Sequence, residues 1–370
     1  MGDDLVRTVT ELVAGRADDW DRAGEIPVAV VRELAVNGLL CAEVRPEHGG
    51  LGLSSVDNGE YTAGVGEVCG SVRSLMTSQG MAAWTVQRFG SARQRATFLT
   101  RLTGGGTAAV AFSESGAGSD LAGMRTTITL DGDHAVVHGG KVWVTGAAYA
   151  DLLVVVGRYG DGYGDGAAAV VVPTDASGVD VRRVADPLGC RAAGHATVTL
   201  DAVRVPATHV LRGAGQPLSW LITAALSYGR LSVAWGCVGM LRACLSAATR
   251  HARVREQFGK PIAGHQLVAR HLAELYVAEQ VATRMCEHAS RCWDAGAPDL
   301  AATVVAAKHV AARGAARGAA TAVQVLASAG AVDGTPVARA YRDAKLMEII
   351  EGSNEISQLL LAEHALMVTP

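Results

Sequence analysis

From residue 218 to residue 258 the chain runs "LSWLITAALSYGRLSVAWGCVGMLRACLSAATRHARVREQF" without a proline. A helix of that length far exceeds the globular average and has to lie along other helices, so the stretch predicts a bundle. Two more long helical patterns follow, "PIAGHQLVARHLAELYVAEQVATRMCEHASRCWDAG" and "LAATVVAAKHVAARGAARGAATAVQVLASAG". The second is rich in alanine, yet its spaced Val, Leu and Arg keep an amphipathic period. With 49% apolar residues but only 4 Phe, the interior is filled by small aliphatic side chains, which favours closely approaching helices.

The texture changes twice along the chain. Residues 1–106 carry helical periodicity, as in "PVAVVRELAVNGLL", broken by "EHGGLGLSS" and "RLTGGGT". Residues 107–212 break into short β-rich runs, among them "TAAVAFS", "DLLVVVGRY", "AAAVVVPTD" and "ATVTLDAVRV". Asp-Gly and Gly-Gly pairs between them predict antiparallel hairpins. Residues 213–370 return to helix. The predicted fold class is mainly α with an inserted antiparallel β-domain, and the crevice where helices meet that domain is the natural place for a cofactor.

A formal charge of −3 with interspersed signs gives no footprint for nucleic acid. "MGDDLVRTVTELVAG" does not read as a secretory leader, and "GAGQPLSWLITAALSYG" is interrupted by Pro217 and closed by Arg230, so no membrane span is expected. Cys41, Cys69, Cys190, Cys237, Cys244, Cys286 and Cys292 fall in no metal spacing, and an odd count argues against a disulfide framework. No metal site and a cytoplasmic location are expected.

Two β-domain stretches have the residue types of a polar ligand site. "AFSESGAGSD", residues 111–120, combines glycines that permit close approach with the hydroxyls of Ser113, Ser115 and Ser119; it reads equally as an ordinary turn after a strand. "KVWVTG", residues 141–146, puts Trp143 and Thr145 on one face of a strand by alternation, which suits a flat heterocycle or a half-buried core. Near the C-terminus, Glu351 in "IIEGSNEIS" is by its surroundings either a base beside a flexible glycine or a helix-start acid favoured by the dipole.

Taken in order, "AFSESGAGSDLAGMRTT", "DGDHAVVHGGKVWVTGAAYADLLVVVGR", "RVREQFGKPIAGHQ" and "YRDAKLMEIIEGSNEISQLLLAEHAL" resemble the successive signatures of the acyl-CoA dehydrogenase family, and the likeness covers nearly the whole chain. It implies a C-terminal four-helix bundle and FAD bound between it and the β-domain. Ser113, Ser119, Trp143 and Thr145 match residues around the flavin, and Ser353 is assigned to the cofactor with them. Arg255, Gln257, Phe258 and Gln266, with Gln324, match a segment that reaches the FAD of a neighbouring subunit, which implies a homo-oligomer. Without the resemblance, Arg255 reads as a solvated helix-end charge. One departure stands out: Ala327 and Ser328 occupy a place where relatives usually have a Gly-Gly pair.

The resemblance makes Glu351 the catalytic base. The alternative family position for the base falls on Gly229, which has no side chain, and Arg230 and Ser119 correspond to substrate-side residues. Removing a proton beside a thioester needs a carboxylate held at the carbon and donors on the thioester carbonyl. The chain also looks similar to homologues that make hydroxymalonyl or methoxymalonyl extender units on an acyl carrier protein. The expected reaction is hydride transfer from the β position of a short hydroxyacyl thioester to FAD, with an electron-transfer flavoprotein as a candidate acceptor. A conventional short-chain dehydrogenase of coenzyme A thioesters, an inactive scaffold and a flavin monooxygenase are the alternatives.

Overall fold

The computed structural model describes residues 2–13, 15–160 and 166–368. Six helices come first: α1 (Gly2–Val13), α2 (Ala17–Ala23), α3 (Val28–Val36), α4 (Ser55–Val68), α5 (Gly70–Phe89) and α6 (Ala92–Thr103). Local chemistry sets their ends. Ser54 caps α4 by accepting from the Asp57 amide, and Ser91 and Gln94 form a reciprocal capping box on α6.

The β-domain follows, with β1 (Ala108–Ala111), β2 (Thr127–Asp131), β3 (His134–Val144), β4 (Leu152–Tyr159), β5 (Gly166–Pro173), β6 (Val179–Arg183), β7 (Ala196–Pro206) and the short β8 (Gln216–Pro217). Seven strands lie in the order β6-β7-β3-β2-β4-β5-β8, with β1 also on β4. The sheet is mixed, which corrects the antiparallel expectation: β1 and β2 both pair with β4 in parallel. Local turn signals report only hairpins, whereas these pairings join strands separated by long stretches of chain. Asp131-Gly132 does turn β2 into β3, but Gly139-Gly140 is no turn; it lies inside β3, at an irregularity in the pairing with β7. Strands β4 and β5 are apolar from Leu152 to Gly157 and from Gly166 to Pro173 because both of their faces are covered. Val154 and Val171 belong to the core under α5 and α6, and Val155 and Val170 to the opposite core.

Helix α7 (Leu218–Val254) packs against α4, α5, α8 (Gln266–Ala295) and α9 (Leu300–Leu326). It is long and apolar enough to cross a membrane, yet 72% of its most apolar window is buried inside the protein. Close approach is enforced by glycine: a Cβ on Gly239 would lie 2.0 Å from the Ala63 carbonyl oxygen of α4. Between α7 and α8 the chain makes a two-stranded hairpin of β9 (Glu256–Gln257) and β10 (Lys260–Pro261). Helices α10 (Pro336–Met347) and α11 (Asn354–Val368) complete the bundle. The turn between those last two carries Glu351.

Candidate active site

Strand β1 delivers Ser113 to the sheet edge, and the loop after it is bolted down by Glu114. Its carboxylate accepts from the backbone amides of Arg125 (2.7 Å) and Thr126 (2.9 Å) and from the Lys141 ammonium (2.8 Å). Lys141 is fully buried and also donates to the Phe112 carbonyl at 2.9 Å. These donors hold the Glu114 carboxyl down to about 2 against the opposing effect of its burial. The bolt locks the loop to β3, whose last residues carry the next site groups.

Trp143 and Thr145 both reach the site, though not by regular alternation. Strand β3 ends at Val144, its pairing with β7 slips between Lys141 and Val144, and Trp143 takes a left-handed backbone with φ 55°. The slip leaves the indole 54% exposed. Thr145 lies just past the strand, its carbonyl held by the Ser78 hydroxyl of α5 at 2.7 Å and its own hydroxyl 3.1 Å from His195 Nδ1. The His195 ring stands edge-on to Trp143, and burial, reinforced by Arg73, pushes it down to about 4, so it is neutral at physiological pH.

The opposite wall is the turn from α10 to α11. Helix α11 starts only at Asn354, so Glu351 is not a helix-start acid and Glu355 does not share a helical face with it. Glu351 and Gly352 have φ of 54° and 92°, a conformation a side chain rarely adopts unless its surroundings dictate it. Arg230 Nε donates to the Glu351 carbonyl at 3.0 Å and Lys308 Nζ to the Gly352 carbonyl at 2.6 Å. The carboxylate packs on α7 where Gly229 leaves room: a Cβ there would lie 2.5 Å from Oε2. Glu351 Oε2 is buried without a hydrogen-bond partner. Burial raises its carboxyl above the ordinary value, opposed by the positive charges of Arg230, Lys308 and Arg73.

One cavity of about 150 Å³ joins these pieces, lined by Arg73, Ser113, Trp143, Thr145, His195 and Glu351 among others. Of the residues singled out from the sequence, Ser113, Trp143, Thr145 and Glu351 meet here. Arg230 touches the Glu351 backbone and does not line the cavity. Exposed Ser119 and half-buried Ser353 do not line it either. Arg255, Gln257, Phe258, Gln266 and Gln324 are exposed and outside it, Phe258 at 95% on the β9–β10 hairpin.

Three site groups escaped the sequence reading. Arg73 is fully buried, with donors to Thr77 Oγ1 and Met347 Sδ and its Nε unpartnered. A lone arginine in the small-residue run "GSVRSLMTSQG" was the available signal. His195 and Lys308 carry no comparable mark.

Comparison with known proteins agrees with this architecture. Residues 2–106, 109–203 and 219–366 match the N-terminal, middle and C-terminal domains of acyl-CoA dehydrogenase. A probable acyl-CoA dehydrogenase, YngJ of Bacillus subtilis (strain 168), is 33% identical over 362 residues, 96% of this chain and 94% of that protein. The chain belongs to the acyl-CoA dehydrogenase family. Among solved dehydrogenase-fold structures, FkbI "for biosynthesis of methoxymalonyl extender unit" is 60% identical, with a TM-score of 0.94 over 98% of this chain and 99% of that one. A Mycobacterium smegmatis glutaryl-CoA dehydrogenase in complex with FADH2 is 25% identical, with a TM-score of 0.90 over 100% and 95% of the two chains. The protein is therefore an oxidoreductase of a family whose members are FAD flavoproteins.

Proposed function

We propose that this dehydrogenase uses FAD to oxidise a short hydroxyacyl group carried on an acyl carrier protein, in the making of a polyketide extender unit. The observation that carries the proposal is the chemistry of the cavity beside Glu351, taken with 60% identity to FkbI. A hydrocarbon acyl chain offers nothing for Arg73 Nε and His195 Nε2 to bond, both buried without a partner in the protein, and burying such groups unpaired is costly; a hydroxylated chain brings an oxygen that can bond them.

The residues present fit FAD. A half-exposed indole at the cavity edge, flanked by the hydroxyls of Ser113 and Thr145, matches a planar ring with polar edges. When bound, FAD supplies the two-electron acceptor for the hydride leaving C3 of the acyl group. Glu351 takes the proton from the C3 hydroxyl, so that CH–OH becomes C=O and charge balances. Its raised pKa, the result of burial, brings it towards the working pH. Ser119 and Ser353 are assigned to the cofactor's surroundings and Arg230 to the substrate's thioester arm.

Arg255, Gln257, Phe258, Gln266 and Gln324 lie outside their own chain's cavity. Their exposure supports a homo-oligomer in which they meet a neighbouring subunit's FAD. We place the protein in the cytoplasm, in keeping with seven free, buried cysteines, and take an electron-transfer flavoprotein as a candidate acceptor. The second reading, a conventional short-chain acyl-CoA dehydrogenase, is favoured by the likeness to the short-chain specific acyl-CoA dehydrogenase of Mus musculus, 30% identical over 353 residues, 95% of this chain and 85% of that protein.

The test of the base is Glu351→Gln. The variant is expected to bind FAD as the parent does and to lose substrate-driven flavin reduction; undiminished reduction sinks the assignment.

A further inference from the structure

Lys308 is one of the most deeply buried charges in the molecule. It projects from the middle of α9, has no solvent exposure, and forms one hydrogen bond, to the Gly352 carbonyl at 2.6 Å. No carboxylate forms an ion pair with it among the described residues. A bundle needing only to be filled at this point would do as well with Met, because an apolar isostere of a buried charge is often neutral or stabilising. A lysine kept there without a counter-ion in contact calls for a different explanation.

The partner it chooses supplies one. Gly352 follows Glu351 in a turn where both residues hold positive φ, and the preceding carbonyl is held by Arg230. Two cations, from α7 and α9, thus grip consecutive carbonyls of one strained turn. If the α9 contact were released, the Gly352 peptide could rotate and carry the carboxylate off Gly229.

We infer that Lys308 is a positioning residue for the catalytic base: through the Gly352 carbonyl it fixes the turn that presents Glu351 to the cavity. The inference rests on the proposed role of Glu351 and goes beyond it by naming what holds that residue. The charged groups around the carboxylate are Arg73 from α5, Arg230 from α7 and Lys308 from α9. Those around Lys308 are Cys237 and Arg230 from α7 with Glu348 and Glu351 from the turn. The Lys308 charge favours the ionised form of Glu351, and burial brings the lysine itself down to about 8.

Lys308→Met tests this. With FAD content equal to the parent's, the anaerobic rate of flavin reduction by substrate is expected to fall about 10- to 100-fold, the usual consequence of a small misplacement of a reacting group. Its acid limb is expected to move to higher pH, because Glu351 loses a neighbouring positive charge. In a Glu351→Gln background the same change is expected to have no further effect on the residual rate. Parent-like rate and limb in a folded Lys308→Met protein overturn the inference, and so does a rate loss with the limb unmoved. Should Lys308→Met fail to fold, Lys308→Gln retains a donor for the Gly352 carbonyl and loses the charge; its limb must still move upward. If Glu351→Gln is inactive while Lys308→Met behaves as the parent, the positioning role alone has failed. If Glu351→Gln reduces flavin normally, the base itself has been misassigned.

Discussion

Glu114 shows how a residue that does not itself line the cavity decides where chemistry is possible, since it joins the loop bearing Ser113 to the strand bearing Trp143. Glu114→Ala strands Lys141 as an unpaired buried cation and is expected to cost about 3–5 kcal/mol in denaturant unfolding; a loss within experimental error contradicts the bolt. The same carboxylate gives a pH signature. Its folded pKa of about 2 lies below the ordinary 4.5, so its contribution is complete above about 4.5 and is lost as pH falls through 2. At Gly229, an added Cβ meets Glu351 Oε2 at 2.5 Å and Met81 Sδ at 2.6 Å. Gly229→Ala should leave FAD bound and slow flavin reduction about 10- to 100-fold; an unchanged rate contradicts the proposed role of Glu351 packed against α7. The place of Glu351 at the cavity was legible in the sequence because a whole motif surrounds it. Arg73, His195 and Lys308 were not, because their meaning lies in burial that leaves Arg73 Nε and His195 Nε2 without a hydrogen-bond partner and Lys308 without an ion pair among the described residues, properties fixed by other elements.

At the scale of elements, the helices were legible because their signals are local: apolar period, small residues along α7, capping residues at the ends. The parallel partners of β4 were not, since they join strands that no hairpin connects. The β3 irregularity is the instructive miss. Alternation predicts one face for Trp143 and Thr145, whereas in the structure both line the cavity from an irregular strand end, where the pairing slips and Trp143 is left-handed. The end of α9 holds a related feature. Ala327 has φ 52° and ψ −130°, a conformation that suits glycine and strains alanine. Ala327→Gly is expected to raise the thermal midpoint, with about 1 kcal/mol of strain relieved; a lowered midpoint contradicts the strain.

At the scale of the whole molecule, the site exists only where three regions meet: α5 supplies Arg73, the β-domain supplies Ser113, Trp143, Thr145 and His195, and the bundle supplies Glu351 with the two cations that hold its turn. Such an arrangement couples Glu351 to the fold, and because burial raises its carboxyl, flavin reduction by the proposed base should rise with pH through a limb above the ordinary carboxylate value of 4.5. A limb at or below that value contradicts the buried base. The central claim, a dehydrogenase of carrier-bound hydroxyacyl groups, is tested most directly by the anaerobic visible spectrum of the purified protein. It would be titrated in parallel with matched short acyl and hydroxyacyl groups on carrier protein and on coenzyme A. Bleaching of the flavin by the carrier-bound hydroxyacyl group alone is the predicted result; bleaching by simple acyl-CoA instead, or a protein without flavin, contradicts it.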